Sequence, residues 1–215
     1  MRFVVTAGPT REHIDPVRFL SNPSTGRMGF AVARAARKAG HEVALIAGPV
    51  ALRTPPGVRR VDIVSARDML AAVQAEIARA DVLVMTAAVA DWRPARCAKT
   101  KLKKGAMPDT IKLVRNPDIL KSLKRVKGLV RIGFAAETGL PDAEAARKCR
   151  EKDLDLVVGN DVTRADSGFG TATNRVSLVT PDGRVRHLPL MSKLAVARRI
   201  VAFAEEATKR KGRCQ

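Results

Sequence analysis

The chain has 215 residues, 46% of them hydrophobic, and carries 40 Lys and Arg against 21 Asp and Glu, a formal net charge of +19. That length suits one well-buried domain, three scattered cysteines argue against a disulfide framework or zinc site, and no apolar run approaches the roughly 18 residues that span a bilayer. The positive excess admits a polyanionic partner, but with 3% aromatics, no base-stacking motif and Lys and Arg in every segment, a dedicated nucleic-acid protein is disfavoured.

Met1 leads almost directly into an apolar run, which leaves no room for a leader peptide and points to a cytoplasmic protein. The first predicted strand, Arg2 to Thr6, enters a loop of about twenty residues, where a βα connection usually takes about two to six. The loop closes on Ser24-Thr25-Gly26-Arg27-Met28-Gly29, before an Ala-rich amphipathic helix from Phe30 to Ala39. Hydroxyl caps, small glycines and a cation at a helix N-terminus supply what a phosphate needs: N–H donors, close backbone approach and positive charge. The plainer alternative is that Gly26 and Gly29 let helix and sheet pack closely. A dinucleotide fingerprint is missing. The first turn has only Gly8, and the second predicted strand, Val43 to Ala47, ends in Gly48-Pro49 with no acidic residue for a ribose.

A third strand, Arg60 to Val64, precedes a helix from Ser65 to Ala80, where Met69, Val73 and Ile77 share one face and Ser65 with Asp68 makes a capping box. The fourth strand, Val82 to Thr86, opens into Ala87-Ala88-Val89-Ala90-Asp91-Trp92-Arg93-Pro94. Small residues beyond a strand's carboxyl end let a ligand lie against the backbone, and Asp91 could accept hydrogen bonds from a base or sugar, join a metal shell, or sit in a surface turn. Ala95 to Met107 is basic and predicts a mobile loop. Its Lys99, Lys101, Lys103 and Lys104 could fold over phosphates or form a solvated charge run.

A short strand near Thr110 to Val114 is followed by helices at Pro117 to Arg125 and Pro141 to Lys152, each opened by a proline. Lys148 and Lys152 lie one turn apart, with Glu144 a turn earlier, the spacing of a surface Glu–Lys pair. Strands at Leu129 to Phe134 and Leu154 to Val158 end in Phe134, which could stack on a base or fill the core, and near Asn160-Asp161, which could orient a ligand or cap a turn. Arg175 to Thr180 and Val185 to Leu190 read as a hairpin around Pro181-Asp182-Gly183. The last helix runs from Ser192 to Ala207, and the tail from Lys209 to Gln215 is expected to fray. His13, His41 and His187 have no partners at catalytic or ligand spacing and read as structural. Short apolar strands separated by helices predict an α/β fold, doubly wound (Rossmann-like), with a mainly parallel sheet and a C-terminal β-hairpin and helix. Residues 1–207 are expected to form one domain and 208–215 a basic C-terminal tail.

Taken together, TAGPTREHIDPVRFLSNPSTGRMG, TAAVADWRP, the K-x-K-K of Lys101 to Lys104, RNPDIL, GFAAET and NDV resemble phosphopantothenoylcysteine synthetase (phosphopantothenate–cysteine ligase) over nearly the whole chain, in family order. The resemblance implies ligation of 4'-phosphopantothenate to L-cysteine through an acyl-nucleotide, with release of pyrophosphate, in coenzyme A biosynthesis. It implies Mg²⁺ and CTP as co-substrate (ATP being the alternative), no FMN because the decarboxylase half found in many relatives is missing, and a homodimer with no membrane or dedicated nucleic-acid partner. By the same resemblance Asn22 and Lys101 are catalytic, and Ala87, Ala88, Asp91, Lys101, Asn116, Pro117, Asp118, Ile119, Phe134, Lys148 and Lys152 hold the nucleotide, with Lys99 to Lys104 closing as a lid. Ser24, Thr25, Gly26 and Arg27 are the candidate for the phosphate of phosphopantothenate, from helix-terminus physics; the metal ligands stay open. Arg27 stands where relatives often have Lys, which keeps the charge but changes donor geometry. The competing readings are an NAD(P)-dependent oxidoreductase on a Rossmann-like fold and a basic nucleic-acid-binding protein.

Overall fold

In the computed structural model every residue is described except 107–108, 138–141, 162, 164–165 and 213–215; Met107, Thr138, Pro141, Val162 and Cys214 therefore lie outside the described residues. In chain order the elements are β1 (Arg2–Ala7), the short strands β2 (Glu12–His13) and β3 (Phe19–Leu20), α1 (Arg27–Lys38), β4 (Glu42–Ala47), β5 (Arg59–Asp62) and α2 (Ala66–Ile77). There follow β6 (Val82–Met85), β7 (Trp92–Pro94), β8 (Leu113–Arg115), α3 (Ile119–Ser122), β9 (Val130–Glu137), α4 (Asp142–Glu151) and β10 (Leu156–Asp161). The chain ends with β11 (Thr173–Asn174), β12 (Val176–Val179), β13 (Val185–His187), β14 (Met191–Ser192) and α5 (Lys193–Arg210).

Eight strands form one sheet in the order β13-β12-β10-β9-β6-β1-β4-β5. The six from β10 to β5 are parallel, and β12 and β13 add an antiparallel hairpin at one edge. This is the doubly wound sheet with a C-terminal hairpin and helix that the strand–helix alternation predicts. Successive residues of each strand feed opposite cores. Phe3, Val5, Leu45, Val84, Ile132 and Val158 pack in the layer of α1 and α5, while Val4, Ile46, Leu83 and Val157 pack with Met69, Val73 and Ile77 of α2 and Ala145 and Cys149 of α4. Each fully buried aliphatic side chain contributes about 1.5–3 kcal/mol by leaving water, so a slip of one residue in any strand would invert both layers. From β1 the sheet grows toward β4 on one side and toward β6 on the other. Connections leaving β1 and β6 therefore diverge, and in open α/β sheets such a switch point is where ligands bind.

The Ser65–Asp68 capping box forms as expected, and the predicted face of α2 is the buried one. Four expectations need correction. α1 starts at Arg27, three residues before the predicted Phe30, so Gly29 lies within the helix; a Cβ there would stand 2.5 Å from both Ala7 Cβ and Thr86 Oγ1. Close packing is the role of Gly29. The helix predicted from Pro117 shrinks to the four residues of α3, because Leu123 returns to extended backbone. The basic stretch after Ala95 holds a short 3-10 turn at Lys104–Ala106 and is tied down by Ala98 N–H to the Ile14 carbonyl, 2.9 Å, and by Leu102 N–H to Asp15 Oδ2, 3.1 Å. Finally, α5 passes the predicted boundary at 207. Thr208 is buried, and Lys211 donates to the Leu129 carbonyl (2.9 Å) and pairs with Asp155 (2.7 Å), so residues 208–211 dock on the body of the molecule.

The histidines keep to packing and local bonding. His41 stacks on Phe3 with centroids 5.0 Å apart and reaches Glu205 at 2.9 Å, His13 meets Phe19 edge-on, and His187 shares a hydrogen bond with Ser177.

Candidate active site

The chain leaving β1 crosses the top of the sheet before it turns into α1. Gly8 takes a left-handed conformation (φ +81°), Pro9 bridges to Ala88, and the Thr10 side chain accepts the Ala90 N–H at 3.0 Å. Thr6 Oγ1 accepts the Ala87 N–H at 3.2 Å. Residues 87–90 after β6 are thus held by residues 6–10, the end of β1 and the turn that leaves it. The same crossing explains Gly48: a Cβ there would lie 1.8 Å from the Pro9 carbonyl oxygen. Backbone fills the place where a dinucleotide fold presents its ribose-binding carboxylate, and the oxidoreductase reading loses its geometric basis.

The long loop folds around Asp15. Its buried carboxylate accepts the N–H groups of Val17 and Arg18 at 2.8 Å and of Leu102 at 3.1 Å, and pairs with the Arg18 guanidinium at 3.1 Å. Burial alone would raise the pKa of this group, but the three N–H donors and Arg18 outweigh it and hold the carboxyl below the usual Asp range. Arg18 also donates to the Leu102 carbonyl. One carboxylate therefore joins the β2–β3 hairpin to the lysine-rich segment.

Beyond the hairpin, Asn22 Nδ2 donates to the Ala88 carbonyl at 2.7 Å while its Oδ1 accepts the Ser24 N–H at 3.1 Å. Both ends of the amide are fixed by groups of opposite polarity, so its orientation is determined. The expected hydroxyl cap on α1 is absent: the N-cap is Gly26, at φ +76°, with no side-chain hydrogen bond. The first-turn N–H groups thus face the cleft without a side-chain acceptor, as an anion requires.

Two clefts meet at the carboxyl end of the sheet. One, of about 480 Å³, is lined by Asn22, Ser24, Thr25, Gly26, Arg27 and Ala88, with Asn160, Phe169, Asn174 and Lys193 opposite. The other, of about 460 Å³, is lined by Asn116, Pro117, Asp118, Ile119 and Lys152. Ala87, Val89, Asp91, Phe134 and Lys148 line both, which makes them one trough. The residues assigned from the sequence to catalysis, the nucleotide and the substrate phosphate line this trough except Lys101, which is exposed, next to the tethered Leu102; like Lys99, Lys103 and Lys104 of the same segment, it borders neither cleft.

Asn116 acts on backbone: its Nδ2 donates to the Ala90 carbonyl at 2.8 Å and its N–H to the Asp91 carbonyl at 2.7 Å. Asp118 caps α3 through the Lys121 N–H and pairs with Lys152 at 2.8 Å. Its partial burial raises the carboxyl pKa, yet the Lys152 ammonium and the Lys121 N–H more than reverse that and leave it below the usual range. Lys148 donates to the Phe134 carbonyl. The surface pairing expected from the spacing of Glu144 gives way to Arg147, which grips both Glu144 and Glu151, while Lys148 and Lys152 line the trough.

Among the described residues, Arg27, Arg115, Lys148, Lys152 and Lys193 line the trough against the carboxylates Asp91 and Asp118. Such a surface lowers the cost of bringing two anions together. Sequence reasoning missed Phe169, Asn174 and Lys193. The one signal for Lys193 was a cation in the first position after the Ser192 cap, where a helix dipole favours anions.

A family model described as the DNA/pantothenate metabolism flavoprotein C-terminal domain matches residues 1–207. The coenzyme A biosynthesis bifunctional protein CoaBC of Vibrio vulnificus (strain YJ016) is 45% identical over 202 residues, which make up 92% of this chain and 50% of that protein. That of Bacillus subtilis (strain 168) is 45% identical over 211 residues, 97% of this chain and 52% of the relative. The chain thus spans about half the length of the curated relatives it matches. The crystal structure of the C-terminal domain of a CoaBC protein superposes with a TM-score of 0.82 at 42% identity, covering 97% of this chain and 95% of that one. A Cab2 mutant in complex with phosphopantothenate-cysteine shares the fold at 16% identity, with a TM-score of 0.80 over 98% of this chain and 87% of its own.

Proposed function

The chain belongs to the family of the DNA/pantothenate metabolism flavoprotein C-terminal domain, and from that premise we propose that it joins 4'-phosphopantothenate to L-cysteine, consuming a nucleoside triphosphate and releasing pyrophosphate on the way to coenzyme A. The observation that carries this reading is the continuous trough, with an uncapped helix N-terminus and Arg27 at one end, Lys152 at the other and Lys148 between them. The CoaBC relatives, named for coenzyme A biosynthesis, support the pathway, and the Cab2 mutant of the same fold is bound to phosphopantothenate-cysteine, the product of the proposed ligation.

In this reading the substrate phosphate lies against Ser24, Thr25, Gly26 and Arg27, and the triphosphate lies between Ala87, Asp91, residues 116–119, Phe134, Lys148 and Lys152. The substrate carboxylate attacks the α-phosphorus and pyrophosphate leaves. The cysteine amine then attacks the acyl carbon of the mixed anhydride, forming the amide and releasing the nucleoside monophosphate. Both partners of the first step are anions, so most of the barrier is electrostatic, and cations fixed before reaction reduce it without reorganising. Asn22 lines the first cleft and fixes the Ala88 carbonyl, between Ala87 and Val89 of the shared wall, keeping the attacking group and the phosphorus in register. Lys101 acts when the side chains of the Lys99 to Lys104 segment, held at Leu102 by Asp15, close over the triphosphate. Magnesium suits the site. Among the described residues no cluster of three His, Cys, Asp or Glu could ligate a metal, whereas Mg²⁺ is commonly held by phosphate oxygens, water and one or two carboxylates. Asp91 would be that carboxylate, and the ion would supply charge neutralisation.

CTP is the proposed triphosphate, with ATP the alternative. The proposed homodimer has a surface to use: Val17, Phe19, Trp92 and Leu113 are exposed on the neighbouring β2–β3 and β7–β8 hairpins. No helix among the described residues is long and apolar enough to cross a membrane. The test is pyrophosphate release from each of the four common nucleoside triphosphates, with phosphopantothenate and cysteine supplied or withheld. Release that needs phosphopantothenate, with amide formed only when cysteine is added, is the expected result; release independent of phosphopantothenate contradicts the proposal.

A further inference from the structure

Lys193 is 7% exposed, yet no carboxylate pairs with it among the described residues. Its ammonium donates to the Gly168 carbonyl at 2.7 Å, the Thr171 carbonyl at 2.6 Å and Thr171 Oγ1 at 3.2 Å, three acceptors for three protons. Its backbone N–H donates to the Ala172 carbonyl at 3.0 Å. The position is electrostatically poor: the first residue of α5 faces the positive end of the helix dipole, and Arg27 lies close enough to add repulsion. A buried cation held by neutral acceptors in such surroundings is expensive, and packing alone would be served better by Met or Leu. The strap that it grips forms one wall of the cleft. Phe169 stands exposed at the apex between Gly168 (φ +95°) and Gly170 (φ +81°), and lines the cleft with Gly168 and Asn174.

We propose that Lys193 is a positioning residue that pins the Gly168–Thr171 strap, so that Phe169 walls the cleft against the apolar body of the phosphorylated substrate. The idea rests on the ligase reading for the identity of that substrate; the pinning itself does not. Burial, with Arg27 as the second cause, pushes the Lys193 ammonium down to about 8, in keeping with a cation kept for its three bonds.

The test compares wild type with Lys193→Met, Lys193→Arg and Phe169→Ala. Hydrogen exchange of the amides of residues 168–173 should be at least about tenfold faster in Lys193→Met, with α2 unchanged. Steady-state kinetics should show the KM for phosphopantothenate raised about tenfold in Lys193→Met and Phe169→Ala, with the KM for the triphosphate unmoved. Lys193→Arg should recover part of both effects, and it carries the test if the Met variant does not fold. Unchanged exchange in residues 168–173 would overturn the pinning, and equal rises in both KM values would reduce Lys193 to a general structural role. If wild type turns over no phosphopantothenate, the ligase reading fails while the exchange data still decide whether Lys193 pins the strap.

Discussion

At the scale of single residues, the trough depends on side chains that use their polar ends on backbone and so hold it in shape. Asn22 is the clearest case, with its donor end on the Ala88 carbonyl and its acceptor end on the Ser24 N–H. Asn22→Asp is nearly isosteric but sets a carboxylate oxygen against a carbonyl oxygen. Turnover should fall on the order of 10²-fold, with the melting temperature little changed because the residue is only partly buried; full activity in the variant would contradict its proposed role. Lys193 gives a pH prediction. Its folded pKa of about 8 lies below the ordinary 10.5, so between those values the unfolded chain binds more protons, and this residue's contribution to stability rises with pH. The melting temperature of wild type relative to Lys193→Met should therefore increase from pH 7 to pH 10. A constant difference across that range would mean that the ammonium is not perturbed.

At the scale of elements, Gly29 decides how closely α1 approaches the sheet. Gly29→Ala would gain about 1 kcal/mol of helix propensity, but its Cβ would lie 2.5 Å from Ala7 Cβ and Thr86 Oγ1, and such overpacking costs about 1–3 kcal/mol. Net destabilisation in urea unfolding is expected, and a stabilised variant would show that α1 can move away freely. Asp15 links two elements in the same sense. Asp15→Asn loses the charge that holds Arg18 and weakens the grip on Leu102, so kcat should fall more than affinity for phosphopantothenate; the reverse would detach the lysine segment from catalysis. The parallel strands and α2 were legible in the sequence because each apolar run has a single period and a single burial pattern. Asn22, Asp91 and the Lys148–Lys152 pair were legible only through the resemblance, because their neighbours form recognisable runs; spacing alone read the lysine pair as a surface Glu–Lys pair. Asp15, Phe169 and Lys193 were not legible, since their partners Leu102, Gly168 and Thr171 are set by tertiary crossings that leave no periodic trace. The β2–β3 hairpin and β7 were missed for a related reason, since two- and three-residue strands are too short to show alternation; β8 overlaps the short strand expected near Thr110 to Val114.

At the scale of the whole molecule, the sheet's switch point between β1 and β6 brings the loop after β1, the segment after β6 and the ends of β9 and β10 to one rim. The net charge of +19 is spread over the surface, and what distinguishes the rim is that, among the described residues, five cations and two carboxylates line a single trough. Rim charge of that kind steers anions in and weakens with salt, so the apparent KM for both anionic substrates should rise with ionic strength while the amount of cysteine needed changes little. The central claim is that a carboxylate and an α-phosphorus are brought together in that trough. Phosphopantothenate labelled with ¹⁸O in its carboxylate tests it most directly: the account predicts one labelled oxygen in the nucleoside monophosphate released with the amide, whereas label in inorganic phosphate, alongside a nucleoside diphosphate, would contradict it.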